Sequence, residues 1–221
     1  MTMTLPLATS EAAVYANRFR QKRLGRFLAL VDEIASRKGT CRILDLGGKL
    51  AYWQALEPLW CDRPCHITLV NLAAEAVPDE RFSSIAGDAC ALPQFADLSF
   101  DLVHSNSVLE HVGRWREQRN MAGEIRRLAS RYFVQTPNFW FPIEPHFRLP
   151  FIHWLPEPWR VGIVMRRACG FYPQAKSCGE ARDILDDARL LDVQAMAELF
   201  PDAVIERERF AGFTKSLIAV R

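Results

Sequence analysis

The feature that most constrains the fold is a short apolar run that ends in two glycines, RILDLGG over residues 42–48. A run of this length with a single acid, Asp45, predicts a buried strand that opens into a tight turn. Glycine has no Cβ, so Gly47 and Gly48 would let a ligand approach the backbone. Because ligands of open α/β sheets bind beyond the carboxyl ends of the strands, the segment predicts a binding site there.

Similar short runs follow it along the chain and end in small or polar residues: ITLVN at 67–71, GDA at 87–89 and SFDLVHSN at 99–106. Strands are predicted near 42–46, 67–71, 83–86, 100–104 and 131–135, and helices at 10–38, 50–60, 114–129, 179–189 and 192–199. Two final strands, Val204 to Phe210 and Ser216 to Val220, are joined by a turn at Ala211-Gly212. Alternation of strands and helices predicts βαβ units, a parallel sheet and one nucleoside-binding edge.

The composition is that of an ordinary globular protein, with 49% hydrophobic residues and a formal net charge of +2. This charge gives no electrostatic footprint for nucleic acid. Six cysteines occur without a Cys-x-x-Cys pair, which favours free thiols in a reducing compartment. The first thirteen residues lack the features of a signal peptide, and no apolar run is long enough to span a bilayer. The expected location is the cytoplasm.

A segment rich in proline and aromatic residues occupies positions 136–159. Its prolines are Pro137, Pro142, Pro145, Pro150, Pro156 and Pro158, and its large rings are Phe139, Trp140, Phe141, Phe147, Phe151, Trp154 and Trp159. Prolines interrupt helices and ladders, while so many rings need burial or a partner. We expect a rigid, aromatic loop structure at the carboxyl edge of the sheet.

Four motifs resemble those of a known family when taken in order: ILDLGG at 43–48, GDA at 87–89 with Leu92-Pro93, SFDLV at 99–103 and SNSVLEHV at 105–112. Over residues 40–140 the chain resembles the class I S-adenosylmethionine-dependent methyltransferases. The two final strands agree with that family's antiparallel seventh strand. The stretch QTPNFWFPIEPH at 135–146 further resembles a bacterial subgroup often associated with small-molecule, glycan or lipid modification.

The resemblance implies a doubly wound, mostly parallel α/β sheet of seven strands with an antiparallel terminal strand. It implies one domain over 1–221, with an N-terminal helical segment at 10–38 and a substrate-side insertion at 136–176 after strand five. It also implies S-adenosyl-L-methionine as cofactor. By position, Gly47 and Gly48 would face the methionine part, Asp45 would order the loop and help hold the amino group, Asp88 and Ala89 would bind adenine, and Ser105 and Asn106 would face the sulfonium. The full cofactor set is Asp45, Gly47, Gly48, Asn71, Leu72, Asp88, Ala89, Ser105 and Asn106.

Two positions depart from the family pattern. Lys49 stands where a further glycine is usual, and Asn71 stands where an acid usually clasps both ribose hydroxyls. An amide has only one acceptor oxygen, so weaker cofactor binding is expected, with Glu75 as another residue that could hold the ribose. These departures leave open a non-catalytic binding or scaffold protein of the same fold. A nicotinamide enzyme is disfavoured because Lys49-Leu50-Ala51 breaks Gly-x-Gly-x-x-Gly. A nucleic-acid amine methyltransferase is disfavoured because no Asn/Asp-Pro-Pro-aromatic signature follows strand four.

Methyl transfer is an in-line displacement that needs alignment, exclusion of water and a group that takes the acceptor's proton. The predicted base or substrate orienter is His146, with His111 second and Glu144 as the partner of His146. No metal is expected, because Ser107 stands where a metal-binding branch of the family carries a first glutamate. The expected acceptor is a small molecule, a glycan or a lipid-linked molecule. The basic face formed by Arg18, Arg20, Lys22, Arg23 and Arg26 is most simply a solvated surface, and the alternative is contact with an anionic substrate or peripheral contact with a membrane.

Overall fold

The computed structural model describes residues 17–221. Its helices are α1 (Arg18–Lys38), α2 (Leu50–Ala55), α3 (Trp115–Leu128), α4 (Glu157–Arg166), α5 (Cys178–Asp186) and α6 (Val193–Leu199). Its strands are β1 (Cys41–Leu46), β2 (Cys65–Asn71), β3 (Phe82–Ala86), β4 (Leu102–Asn106), β5 (Tyr132–Pro137), β6 (Ile143–Glu144), β7 (Leu149–Pro150), β8 (Val204–Phe210) and β9 (Phe213–Val220). Short 3-10 turns cover Glu57–Leu59, Leu109–His111 and Ile152–Trp154.

Seven strands form one sheet in the order β3-β2-β1-β4-β5-β9-β8. Strands β2, β1 and β4 run parallel to one another, and β3 runs parallel to β2. The terminal strand β9 pairs antiparallel with β8 through the Ala211-Gly212 turn, where both residues have positive φ. The predicted Rossmann-like sheet with an antiparallel terminal strand is therefore confirmed.

Helix α1 is capped at both ends and buries one face. The Asn17 side chain accepts the backbone N–H groups of Phe19 and Arg20, and the helix ends at Gly39, whose φ is 81°. One face of the helix is buried, through Arg23, Leu24, Phe27, Leu28, Val31 and Ile34. The helix predicted at 10–38 is observed over Arg18–Lys38, and the part of that prediction before residue 17 lies outside the described residues. Within residues 17–221, no helix is both long and apolar enough to cross a membrane.

The contacts divide the chain into two compact units. The first contains the residues up to Asn106 together with Glu124–Phe133, and the second contains Ser107–Gly123 and Val134–Arg221. The core of the first unit is aromatic: Trp53 meets Phe27 at 6.2 Å and Trp60 at 5.6 Å between ring centroids, both edge to face. Edge-to-face rings pack favourably beyond the area that they bury. The single-domain organisation of the whole chain stays a prediction.

In the second unit, the segment after β5 is more regular than a loop. It contains the hairpin β6–β7, the turn Ile152–Trp154 and the start of α4. A small core of its own forms around Phe147, Ile152 and Val164. Several rings stay exposed, among them Trp140 at 60% and Trp159 at 68%. These rings are therefore surface groups.

Candidate functional site

The carboxyl ends of four parallel strands meet at one edge of the first unit. Because the sheet order there is β3-β2-β1-β4, the residues that follow these strands are neighbours. All nine predicted cofactor residues lie at or beside these strand ends, within the first unit. An edge of this kind is where ligands of doubly wound sheets bind, next to the point at which the strand order reverses.

The glycine turn after β1 has two different structural causes. Gly47 has a φ of 71°, in the left-handed region that favours glycine, and its N–H donates to the Val70 carbonyl at 2.8 Å. At position 48 a glycine is required because there is no room for a side chain: a Cβ there would lie 2.1 Å from Oδ2 of Asp45. Each glycine thus keeps the backbone of the turn close to its neighbours.

Asp45 is buried, at 1% exposure, and both of its oxygens are occupied. Trp53 Nε1–H donates to Oδ2 at 2.7 Å, and His104 Nδ1–H donates to Oδ1 at 2.8 Å. The acid therefore fixes β1 to α2 and β4 around the turn. Sequence reasoning missed Trp53 and His104, and no motif marked either residue as a partner of Asp45.

The residues after β2 are engaged with nearby groups. Asn71 Oδ1 accepts the N–H of Leu72 at 2.9 Å, and the Leu72 side chain is 82% exposed. Glu75 Oε1 accepts the Leu50 N–H at 2.7 Å, at the start of α2, while its own N–H donates to Ser84 at 2.9 Å. An acidic side chain, Glu75, is thus held beside the glycine turn.

The remaining cofactor positions lie at the ends of β3 and β4. Asp88 is exposed and its Oδ1 accepts the Cys90 N–H at 2.9 Å, with Ala89 half-buried in between. Ser105 is fully buried, and its hydroxyl donates to the Leu46 carbonyl at 3.2 Å. Asn106 Oδ1 accepts from Arg23 Nη1 at 2.9 Å. Arg23, which was expected on a solvated basic face, is therefore buried and supports the end of β4.

The three predicted catalytic residues lie together in the second unit. His146 Nδ1–H donates to Glu144 Oε1 at 2.7 Å, and Glu144 Oε2 accepts the Phe147 N–H at 2.6 Å. The His111 ring meets the His146 ring at 4.7 Å between centroids. Burial by itself would lower the pKa of His146, but the hydrogen bond and the charge of Glu144 outweigh it and raise that pKa.

Sequence reasoning missed Glu110 as a member of this cluster. Glu110 is fully buried, and its Oε2 accepts the hydroxyl proton of Thr136 at 2.9 Å. One donor atom each from Glu110, His111 and His146 lies within 4.8 Å of the other two, so these residues could hold a metal ion. The sequence shows that Glu110 directly precedes His111, but it does not show that the Glu110 side chain is buried.

A cavity of about 150 Å³ also lies in the second unit. Phe139, Phe147, Leu185, Ala188 and Leu190 supply apolar walls, and Glu144, His153, Arg160 and Arg189 supply polar ones. His153 Nε2–H donates to the Phe139 carbonyl at 2.8 Å, which leaves Nδ1 as a hydrogen-bond acceptor. Burial lowers the pKa of Arg160, and the charge of Arg189 lowers it further. Two arginines, Arg160 and Arg189, therefore line the cavity, and the guanidinium of Arg160 is partly removed from water.

Comparison with known proteins gives one family match. The model of a methyltransferase domain matches residues 44–131. No curated protein matches the chain at a significant level.

Solved structures resemble this chain at low sequence identity. A phosphoethanolamine N-methyltransferase from Haemonchus contortus is 16% identical over 81% of this chain and 38% of its own, with a TM-score of 0.51. The 1,6-didemethyltoxoflavin-N1-methyltransferase of Burkholderia thailandensis is 15% identical over 99% of this chain and 92% of its own, with a TM-score of 0.49. An S-adenosylmethionine-dependent methyltransferase of Methanosarcina mazei is 14% identical over 82% of this chain and 91% of its own, with a TM-score of 0.48.

The matched residues, 44–131, contain the glycine turn and the ends of β2, β3 and β4. The sheet has the seven strands and the antiparallel terminal strand that the resemblance implied. Residues 44–131 therefore match a methyltransferase domain, and the sheet that contains them has the Rossmann-like methyltransferase fold.

Proposed function

We propose that the protein methylates a small-molecule, sugar or lipid-linked acceptor, with the cofactor bound along the carboxyl ends of β1 to β4. The observation that carries the cofactor site is the left-handed turn at Gly47, next to three further strand ends that close in polar or small residues. In this arrangement the methionine part lies against the turn, the ribose lies near Asn71 and Glu75, and the adenine lies near Asp88 and Ala89. Asp45 acts by ordering the turn, because its oxygens already accept from Trp53 and His104.

We propose His146 as the residue that activates the acceptor. Glu144 accepts from Nδ1 of His146, so the imidazole is held in one orientation and its Nε2 is the atom left to act. His111 lies edge-on to this ring. Support comes from the burial of the Glu144–His146 pair, which needs a reason in an otherwise apolar segment.

The cavity supports an acceptor that carries an acidic group. Arg160 Nε is buried and has no hydrogen-bond partner within residues 17–221. The charges of Glu144, Glu157 and Asp186 only partly offset the burial of this guanidinium and its repulsion by Arg189, and an anion in the adjoining cavity would offset the remaining cost. Both oxygens of Glu144 are occupied by His146 and Phe147, so this acid does not neutralise Arg160 through a direct bond. A carboxylate or a phosphate on the acceptor fits this site.

The exposed rings support an apolar or sugar portion on the same acceptor. Trp140 and Trp154 lie 6.1 Å apart and Phe151 lies 5.2 Å from Trp154 between ring centroids, and all three are exposed. Aromatic faces at a surface stack on sugars or contact the membrane interface. A lipid-linked sugar phosphate would combine these features.

Calorimetry with S-adenosylmethionine or S-adenosylhomocysteine tests the cofactor site. The wild type is expected to bind with a dissociation constant in the micromolar range, about −8 kcal/mol. Gly47→Val is expected to abolish binding. Gly212→Val is the matched control, because Gly212 has a φ of 84° and no neighbouring atom within 4 Å of a Cβ. It carries the same kind of backbone strain in the other compact unit, so equal loss of binding in both variants would contradict the assignment.

The acceptor site is tested by S-adenosylhomocysteine production with panels of sugar phosphates, hydroxy acids and lipid-linked phosphates. With an accepted substrate, His146→Ala is expected to lower kcat about a hundredfold and to leave cofactor affinity nearly unchanged. Arg160→Gln is expected to raise KM for acidic acceptors. Its control is Arg182→Gln, which removes an exposed cation paired with Glu157 at 3.1 Å. Equal KM values in the two arginine variants would exclude Arg160 from acceptor binding.

A further inference from the structure

Three potential metal ligands meet in the second unit from two distant parts of the chain. Glu110 and His111 come from the 3-10 turn Leu109–His111, and His146 comes from the turn between β6 and β7. Their donor atoms lie within 4.8 Å of one another. The sequence shows only two neighbouring donors, Glu110 and His111, and the third is supplied by the fold.

Glu110 is the observation that points to a ligand. The side chain is fully buried, Thr136 satisfies Oε2, and Oε1 is buried with no hydrogen-bond partner among the described residues. A buried carboxylate oxygen without a partner loses its hydration and gains nothing in exchange. A cation placed against Oε1 would remove this cost.

Both imidazoles are oriented as metal-binding histidines usually are. His111 Nδ1–H donates to the Asp187 backbone carbonyl at 3.0 Å, and His146 Nδ1–H donates to Glu144 at 2.7 Å. In each ring this leaves the Nε2 lone pair available. Bonds from the second ring nitrogen to a carbonyl or a carboxylate fix the tautomer and increase the basicity of the ligand.

The backbone also fixes His146. Gly170 has a φ of 59°, and a Cβ on it would lie 2.0 Å from the His146 carbonyl oxygen. The next N–H, that of Phe171, donates to the same oxygen at 2.9 Å. The chain therefore passes directly over His146 and holds it opposite Glu110 and His111.

Charge and geometry decide the class of ion. Glu110 and Glu144 are two buried carboxylates, and a divalent cation between neutral imidazoles would balance both. Metal–ligand bonds of about 2.0–2.2 Å would draw the donors to about 3.3 Å apart, a small adjustment of side chains. The His111 side chain is 34% exposed, which leaves an entry path and positions for water or substrate. Two histidines and one carboxylate suit Zn²⁺, Fe²⁺, Co²⁺ or Mn²⁺.

We propose that Glu110, His111 and His146 bind one divalent transition-metal cation, with Glu144, Thr136 and the Asp187 carbonyl orienting the ligands. The ion site itself does not depend on the proposed function. The role of His146 does depend on it: with Nε2 bound to the cation, His146 would not take the acceptor's proton, and the cation would supply open positions at which the acceptor could bind.

The test is titration of the full-length protein, stripped with chelator and dialysed, with Co²⁺ alone and then with Zn²⁺. One equivalent of Co²⁺ is expected to bind at micromolar concentration, with visible d–d bands, no sulfur-to-cobalt charge-transfer band and displacement by Zn²⁺. Glu110→Gln and His111→Asn are expected to weaken binding at least tenfold. His66→Asn is the control, since His66 lies in the first unit and contacts Ser83.

Each outcome decides the proposal. The His111 side chain is partly exposed, so His111→Asn is expected to fold normally. Melting temperatures measured without metal check that both His111→Asn and Glu110→Gln are folded. The proposal is overturned if the wild type binds no Co²⁺ at a Co²⁺ concentration of about 100 micromolar, or if a sulfur-to-cobalt charge-transfer band appears. It is also overturned if Glu110→Gln binds Co²⁺ as tightly as His66→Asn does. Cofactor affinity measured on the same stripped samples reports on the methyltransferase site separately, so failure of one proposal is distinguishable from failure of the other.

Discussion

Replacing Gly48 by alanine tests how the glycine turn is held. An alanine Cβ would lie 2.1 Å from Oδ2, 2.4 Å from Cγ and 2.9 Å from Cβ of Asp45. Ordinary contacts of a Cβ begin at 3.4 Å, so the carboxyl group or the turn must move by about 1.3 Å. Asp45 is a short, buried side chain held by two bonds, and it has no free rotamer to take up that displacement.

The magnitude follows from those two bonds. Hydrogen bonds to a charged group contribute about 1.5–3 kcal/mol each, and the donors Trp53 and His104 are both buried. Breaking both would cost about 3–6 kcal/mol, and partial relaxation of the turn reduces the expected loss to about 2–5 kcal/mol. Because the same movement displaces the turn, cofactor affinity is expected to fall at least tenfold.

The assay is urea unfolding followed by tryptophan fluorescence, together with calorimetric cofactor binding. Gly25→Ala is the matched control, since Gly25 lies in α1 with no atom within 4 Å of an added Cβ. A helical Gly→Ala change with free space should stabilise the protein by about 0.5–1 kcal/mol. If Gly48→Ala is as stable as the wild type and binds the cofactor equally well, the inferred role of the Asp45 contact is wrong.

Three further predictions concern single side chains. Asn71→Asp is expected to tighten cofactor binding severalfold in calorimetry by restoring a two-oxygen acceptor for the ribose, and unchanged affinity would point to Glu75 instead. Burial alone would raise the pKa of Asp101, but hydrogen bonds from Arg42 and Lys38 lower it to about 2. The stabilisation that ionised Asp101 contributes is therefore fully present above about pH 4 and is lost as the pH falls towards 2. In thermal melts, Asp101→Asn should remove this acid-dependent loss. Cys178 is exposed and should be the first thiol to react with a disulfide reagent. Cys41 is buried, which raises its pKa to about 12, and it should react only after unfolding. Labelling followed by peptide mass spectrometry gives the order of reaction, and the opposite order would contradict the observed burial.

Local patterns determined much of the fold. Strand β1 and the Gly47-Gly48 turn could be predicted because an apolar run that stops at two glycines has few other conformations. The terminal hairpin could be predicted because Ala211-Gly212 separates two strand-like runs, and a turn with positive φ suits such a pair. The same local signals placed the predicted cofactor residues at neighbouring strand ends, since parallel strands end at the same edge.

Only the tertiary structure decided which side chains meet. The bond between Asp45 and His104 joins residues 59 positions apart, and no periodicity or propensity encodes such a pairing. The burial of Arg23 beside Asn106 was likewise invisible, because a basic residue on an amphipathic helix is usually solvated. Glu110 and His111 are adjacent in the sequence, but the third donor, His146, reaches them only through the hairpin β6–β7 and the close passage of Gly170. Sequence therefore determined the sheet and its glycine turn through local backbone preferences, whereas the buried polar clusters arose from long-range packing.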